Sequence, residues 1–210
     1  MSVYPTYTGS YRTEVKSLRP ADASNPLQVF KAGALGSRVH AVNIAGNDTS
    51  ARDLQLYYGK KMTLQSAMGT TSWTSGTITR SSGSFLTDGW AVGDTVIPIG
   101  STTRANDKLL TVTAVVAGTL TFSETQSAES FASGGVLYRG ARLTTHNVPI
   151  TAGYLNSTPS VDGLRDNCGV IDASPNRYLT MGPDDILAAV MGATITSAKQ
   201  IDVATFAGDY

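Results

Sequence analysis

The sequence predicts an all-β protein: a β-sandwich body carrying a small inserted β-barrel or meander domain. Three observations carry this. Thr (27) and Ser (21) abound while Glu (3) and Lys (6) are scarce, so a β-branched polar residue stands where exposed helix faces would want straight-chain side chains. The 21 glycines, with recurring Asp-Gly, Gly-Asp and Asn-Asp pairs, supply turns at short intervals. Between those turns, apolar residues repeat with a period of two over short runs.

Residues 1–26 are rich in Tyr, Thr, Ser and Pro without a sustained period, and read as an extended N-terminal arm. Tyr4, Tyr7 and Tyr11 are its candidate contacts, aromatic anchors for a pocket on another subunit; alternatively they fold back on their own sheet. From Leu27, the runs LQVFKAG, SRVHAVNIAG and RDLQLYYG read as three strands with one buried face, since Leu54, Leu56 and Tyr58 alternate with Asp53, Gln55 and Tyr57. Asn47 to Ser50 reads as the hairpin turn between the second and third.

After Met62 the pattern changes to short strands and tight turns: SGTITRSS, DTVIPIGS, KLLTVTAVVAG and GTLTFSE. Leu110, Val112, Ala114 and Val116 are expected to face one way and Thr111 and Thr113 the other, with Ala117-Gly118 turning the chain back into Leu120 and Phe122. Pro98 lacks a backbone donor, which places its strand at an edge or a bulge. Phe85, Trp90 and Val92 form the candidate barrel-end plug, flanked by the turn dipeptides Asp88-Gly89 and Gly93-Asp94.

From Val136 the longer alternating runs return in VLYRGARLTTHNVPI, RYLTMG, ILAAVMGATIT and KQIDVATFAGDY. Residues 27–61 and 136–210 are therefore expected to form one discontinuous body, with 62–135 inserted as a small β-barrel domain. Pro183-Asp184-Asp185 would suit a helix cap, but Gly192, Thr194, Ile195 and Thr196 favour a strand for ILAAVMGATIT. Residues 156–176 hold Pro, Gly, Asn and Asp with little period and are expected as a long surface loop.

The chemical inventory argues against catalysis. Sixteen basic and sixteen acidic residues cancel and no Lys/Arg run stands out, so neither nucleic acid nor membrane is an expected partner. The first fifteen residues lack an apolar signal core, which implies synthesis in the cytosol without a signal peptide. Cys168 is the single cysteine, so an intramolecular disulfide and a multi-thiolate zinc site are both excluded; it reads as a small buried hydrophobe. His40 and His146 lie in alternating strand runs and are expected on sheet surfaces rather than as bases. The two acids of DTSARD, Asp48 to Asp53, lack the ligand series and central Gly of a calcium loop. Neither GxGxxG nor GxxxxGK occurs, so phosphate-cradling loops are missing. Asp88 and Asp94 are expected to accept backbone hydrogen bonds in turns, not to act as an acid–base dyad. No catalytic residue, no cofactor and no metal is therefore expected, hence no enzyme.

The stretches NPLQVFKAGALGSRVHAVNIAGNDTSARDLQLYYG and RYLTMGPDDILAAV, with the terminal FAGDY, resemble a family of tailed-bacteriophage virion structural proteins. The segment ITRSSGSFLTDGWAVGDTVIPIGSTTRANDKLLTVTAVVAGTLTFSE is similar to small β-domains spliced into phage head and tail proteins, departing at Lys108-Leu109, where such domains often carry Gly and an aromatic. The resemblance implies a non-enzymatic component of the virion with a jelly-roll or β-sandwich body. The expected role is a capsid decoration or cement protein that binds across capsomer seams, with the major capsid protein or other virion proteins as partners and a homo-oligomer as its working form. Alternatives are a tail, neck or baseplate subunit, and a carbohydrate- or receptor-binding module in which Trp73, Trp90 and exposed Tyr stack on sugar rings.

Overall fold

The computed structural model describes residues 10–22, 24–62, 71–101, 103, 106–131, 136–149, 160–164, 170–171 and 177–210. Among them are one 3-10 turn, Pro20–Asp22, and sixteen strands: β1 (Tyr11–Leu18), β2 (Leu27–Lys31), β3 (Ser37–Gly46), β4 (Arg52–Lys61), β5 (Thr71–Thr74), β6 (Thr77–Arg80), β7 (Thr95–Ile99), β8 (Leu110–Val116), β9 (Thr119–Phe122), β10 (Glu129–Phe131), β11 (Val136–Val148), β12 (Val161–Asp162), β13 (Val170–Ile171), β14 (Arg177–Met181), β15 (Ile186–Met191) and β16 (Ile201–Asp209). The protein is all-β, and every strand pairing given by register is antiparallel. The chain forms two compact units: a body of Met1–Tyr58 with Arg142–Tyr210, and an insert of Gly59–Ala141. The boundaries fall inside β4 and β11, so these two strands carry the chain out of the body and back, and the change of unit does not coincide with the change of sequence pattern at Met62 and Val136.

In the body, one sheet runs β1-β16-β3-β14-β13 with β12 also on β3, and the strands of the other run β11-β4-β15-β2. Their facing sides share one core, in which Leu18, Val42, Ile44, Val203 and Ile201 from the first sheet meet Phe30, Leu54, Leu56, Leu187 and Val148 from the second. Burying an aliphatic or aromatic side chain of this kind is worth about 1.5–3 kcal/mol, so this layer holds the sandwich together. A bulge sets the phase of β3: β16 pairs Phe206 with Ala41 but Ala207 with Val39, leaving His40 as the extra residue. Buried positions accordingly switch from Val39 to Val42 and Ile44, as an inserted residue requires.

The structure corrects several expectations. The segment expected as an arm contains a strand: residues 11–18 form β1, paired with β16 from Tyr11↔Gly208 to Leu18↔Ile201, and Leu18 is fully buried. In YRTEVKSL the charged residues Arg12, Glu14 and Lys16 fall at every second position, a spacing that suits an edge strand. Asn47 to Ser50 is not a hairpin turn, because β3 and β4 belong to different sheets; it is a crossing between layers. The loop expected at 156–176 contains β12, paired with β3, and Leu164 in the core. Gly163 fits there because a Cβ would lie 2.9 Å from Cγ1 of Val42. Ile186–Met191 is a strand, buried along its whole length, while the residues after Gly192 leave it for a loop.

In the insert the strand path is β10-β5-β6-β9-β8-β7-β11. Two tight hairpins organise it. Ser75-Gly76 joins β5 to β6 with Gly76 at φ 76°, a conformation that favours glycine, and Ala117-Gly118 joins β8 to β9. The described ladders trace an antiparallel sheet in which the β5-β6 hairpin and the β7-β8-β9 run meet through β6 and β9, with β10 added beside β5. Its core is Trp73, Ile78, Phe85, Trp90, Val96, Leu110, Val112, Leu120, Phe122 and Leu137. The alternation in β8 breaks: β9 pairs Phe122 with Val112 but Thr121 with Ala114, so Thr113 is a bulge. Beyond it Val115 packs against the core, whereas Ala114 and Val116, expected inside, are exposed. Pro98 lies on an internal strand, but the β8 ladder ends at Val96↔Leu110 and Pro98 has only Leu137 of β11 across from it, so no ladder donor is lost.

Candidate interaction surface

The edge of the body sheet is built from β1. The carbonyl of Ser10 accepts the amide of Asp209 at 3.4 Å, in the same register that pairs Tyr11 with Gly208. Hydrogen-bonded pairs alternate along an antiparallel ladder, so residues 12, 14, 16 and 18 turn their backbone groups toward β16. Tyr11, Thr13, Val15 and Ser17 turn theirs away from the sheet. Nothing pairs with that outer side among the described residues.

The same odd-numbered residues put their side chains on the outer face, where Tyr11 is 82% and Val15 60% exposed. Phe206, opposite Thr13, is 37% exposed on that face, and Ala204 lies opposite Val15. Exposed apolar side chains grouped at an open sheet edge mark a place for another chain. Of the expected arm contacts, Tyr11 belongs to this surface as part of a strand. Tyr4 and Tyr7 lie outside the described residues.

The even-numbered side chains fix the strand. Arg12 donates to the carbonyl of Lys31 at 3.2 Å and to Oδ2 of Asp209 at 3.1 Å, pairs with Glu14, and sets its guanidinium 5.1 Å from the Phe30 ring centroid. Asp209 also accepts from Oγ of the fully buried Ser37 at 2.5 Å. Lys16, in the same row, is exposed and has no carboxylate partner among the described residues. Nothing here is arranged to react; the arrangement stiffens an edge.

The acids weighed as catalysts are engaged in structure. Asp88 forms an ion pair with Arg80, the two side chains 1% and 0% exposed, and Arg80 also donates to the carbonyl of Ser82 at 2.5 Å. Asp88 is thus more than a turn acceptor, since its carboxylate closes a buried ion pair. Asp94 does accept a turn hydrogen bond, from Ala91 N at 2.8 Å, and adds Arg139 at 2.9 Å. Asp48 accepts from Arg52 Nε at 2.9 Å, Thr196 N at 3.0 Å, Thr196 Oγ1 at 2.6 Å and Ser50 N at 3.1 Å. Burial pushes this carboxyl up, but the hydrogen bonds from Arg52, Thr196 and Ser50 overcome it and hold it well below the usual range. Asp53 accepts from Asn147 at 3.0 Å.

His40 is exposed at its bulge, and partial burial followed by the nearby Arg38 lowers its pKa. His146 departs from the expected surface position: it is buried, and its Nε2 donates to the carbonyl of Gly163 at 3.0 Å, tying β11 to the turn after β12. No group of three His, Cys, Asp or Glu among the described residues could hold a metal ion. Cys168 lies outside the described residues.

Of the expected plug, Phe85 (0% exposed) and Trp90 (4%) are in the insert core, while Val92 is 68% exposed and takes no part. Gly93 N bonds to the carbonyl of Val112 at 2.9 Å, which anchors the loop one residue later and leaves Val92 outside. Trp73 is 1% exposed and packs against Phe122 with ring centroids 5.8 Å apart. Neither indole therefore offers the open face that stacking on a sugar requires. No helix among the described residues is long and apolar enough to cross a membrane. No protein-family model, no curated protein and no solved structure matches the chain.

Proposed function

We propose that this chain is a structural subunit of a tailed-phage virion, and within the virion a capsid decoration protein that binds the shell across capsomer seams. The observation that carries the reading is the open β1 edge with Tyr11, Val15 and Phe206 exposed on one face, taken with the resemblance of the quoted stretches to phage virion proteins. The use of Asp48 and Asp88 as structural clasps supports a role in fit rather than in chemistry. Each exposed face beside β1 offers a modest apolar area, accessible whether or not the backbone edge itself is paired, and copies joined to one another engage the shell at high effective concentration, so weak contacts add up to firm attachment. Balanced charge suits a part that meets protein rather than genome.

The test is to mix the purified chain with heads of its own phage that lack it, then measure co-sedimentation and image the particles. Binding to heads, weakened by Tyr11→Ala with Phe206→Ala, is the expected result. Binding to connectors or tails but not heads moves the assignment to a tail or neck subunit. Binding to neither overturns the virion reading.

A further inference from the structure

We infer that two copies of this chain join through their β1 edges, as an antiparallel β1–β1 pair about a two-fold axis passing beside Val15. This goes beyond the virion reading and does not depend on it, since it concerns the isolated protein.

The open edge dictates the possible registers. Outward backbone groups belong to residues 11, 13, 15 and 17, so in an antiparallel pair odd residues must oppose odd ones. A two-fold axis then passes beside a single residue of each copy. An axis at Glu14 sets Glu14 against Glu14 and, twice, Arg12 against Lys16, three like-charge contacts in one row, which repel. With the axis at Thr13, only residues 11–15 of β1 find partners within the strand, and Lys16 is left unpaired. An axis at Val15 pairs residues 12–18 wholly within β1. Val15 then meets Val15, Thr13 meets Ser17, and Glu14 meets Lys16 of the second copy twice over.

Charge on an edge strand ordinarily guards it against pairing. Here the row is Arg12, Glu14, Lys16, of alternating sign, so it opposes one register and favours another instead of repelling every neighbour. Lys16, which finds no carboxylate among the described residues of its own chain, acquires one in the pair. Hydrogen-bonded odd pairs at Val15–Val15 and the two Thr13–Ser17 positions supply two backbone bonds each, about six in all. On the outer face, Tyr11, Val15 and Phe206 of the two copies fall into one apolar strip across the axis. The pairing is isologous and closed, so it stops at two chains.

The experiment is sedimentation velocity on the full chain, whose monomer mass is 22.0 kDa, up to about 100 µM because mass action governs the dimer. The wild type is expected at twice the monomer mass. Lys16→Glu alone and Glu14→Lys alone each place like charges across the axis and should weaken pairing by about tenfold or more. An equimolar mixture of the two variants restores both opposite-charge contacts and should return to the wild-type mass. A monomeric wild type overturns the proposal, as do single variants that associate like the wild type, or folded variants whose mixture stays monomeric. Should a variant lose its near-ultraviolet spectrum, amide exchange of the wild type decides. Slow exchange at Thr13 and Val15 that deepens with concentration supports the pair; fast exchange at both overturns it.

Discussion

Replacing Asp88 by Ala tests what holds the insert together. The Arg80 and Asp88 side chains are 0% and 1% exposed, and the Arg80 guanidinium sits 4.8 Å from the ring centroid of Phe85, itself fully buried. Asp88→Ala therefore takes the carboxylate away from a buried guanidinium, whose Nε donates to the Ser82 carbonyl at 2.5 Å. Removing one member of a buried pair costs about 3–5 kcal/mol, whereas exchanging both for apolar residues is often close to neutral. Both tryptophans of the chain, Trp73 and Trp90, are in the insert core, so indole fluorescence during urea unfolding reads this unit. With a slope of about 1.5 kcal/mol/M, the midpoint should fall by about 2–3 M in Asp88→Ala. The double change Arg80→Met with Asp88→Leu should recover most of that loss. A single variant that loses less than about 1 kcal/mol, or a double variant as unstable as the summed singles, refutes the reasoning.

Two further expectations concern the body. Asp48 has its carboxyl held well below the usual range, so the stability it contributes is present above the unfolded-state value of about 3.9 and is lost as pH falls toward the folded one; Asp48→Asn should unfold at lower temperature than wild type at pH 7, with the gap in calorimetric Tm closing below about pH 4. Tyr58, pushed up to about 12 by burial and by its hydrogen bond to Asp185, stays protonated while the unfolded chain's Tyr ionises near 10. Its contribution is therefore full below about pH 10 and is lost between there and about pH 12. Burial also raises Tyr57, so absorbance titration should show late phenols of which the one near pH 12 vanishes in Tyr58→Phe, and a titration curve unchanged by that substitution removes the assignment.

How much of this can be read from the chain depends on whether a signal is local. The all-β class and the strands of the body follow from Thr richness and period-two runs, because those act residue by residue. Which sheet a strand joins does not: Asn47 to Ser50 has turn composition whether it closes a hairpin or crosses between layers, and only Thr196 and Gln200, about 150 residues away in sequence, settle it through Asp48 and Asn47. The β1 edge is legible only in part, since Arg12, Glu14 and Lys16 recur at every second position while Tyr11, Val15 and Leu18 do not keep one phase, and the flanking Pro and Tyr suggest an arm. The Arg80–Asp88 clasp is not legible, because a buried pair and two solvated turn charges have the same composition. His146 is a similar case, its burial set by the Gly163 carbonyl that β12 brings to it.

Bulges are where pattern and structure part most sharply, and β8 offers a direct contest between them. Strict alternation through Leu110 and Val112 puts Val116 inside and Val115 outside. Thr113 breaks the phase, so that Val116 is 56% exposed while Val115 packs on the insert core opposite Leu120. Truncating a partly buried valine forfeits about 1 kcal/mol of apolar burial, and a polar change at an exposed site stays within about 0.5 kcal/mol. Val115→Ala should thus lower the urea midpoint read by tryptophan fluorescence, while Val116→Ser should leave it in place. If the loss instead falls on Val116→Ser, the strand continues without a bulge, and the assignment of core and surface beyond Thr113 has to be exchanged.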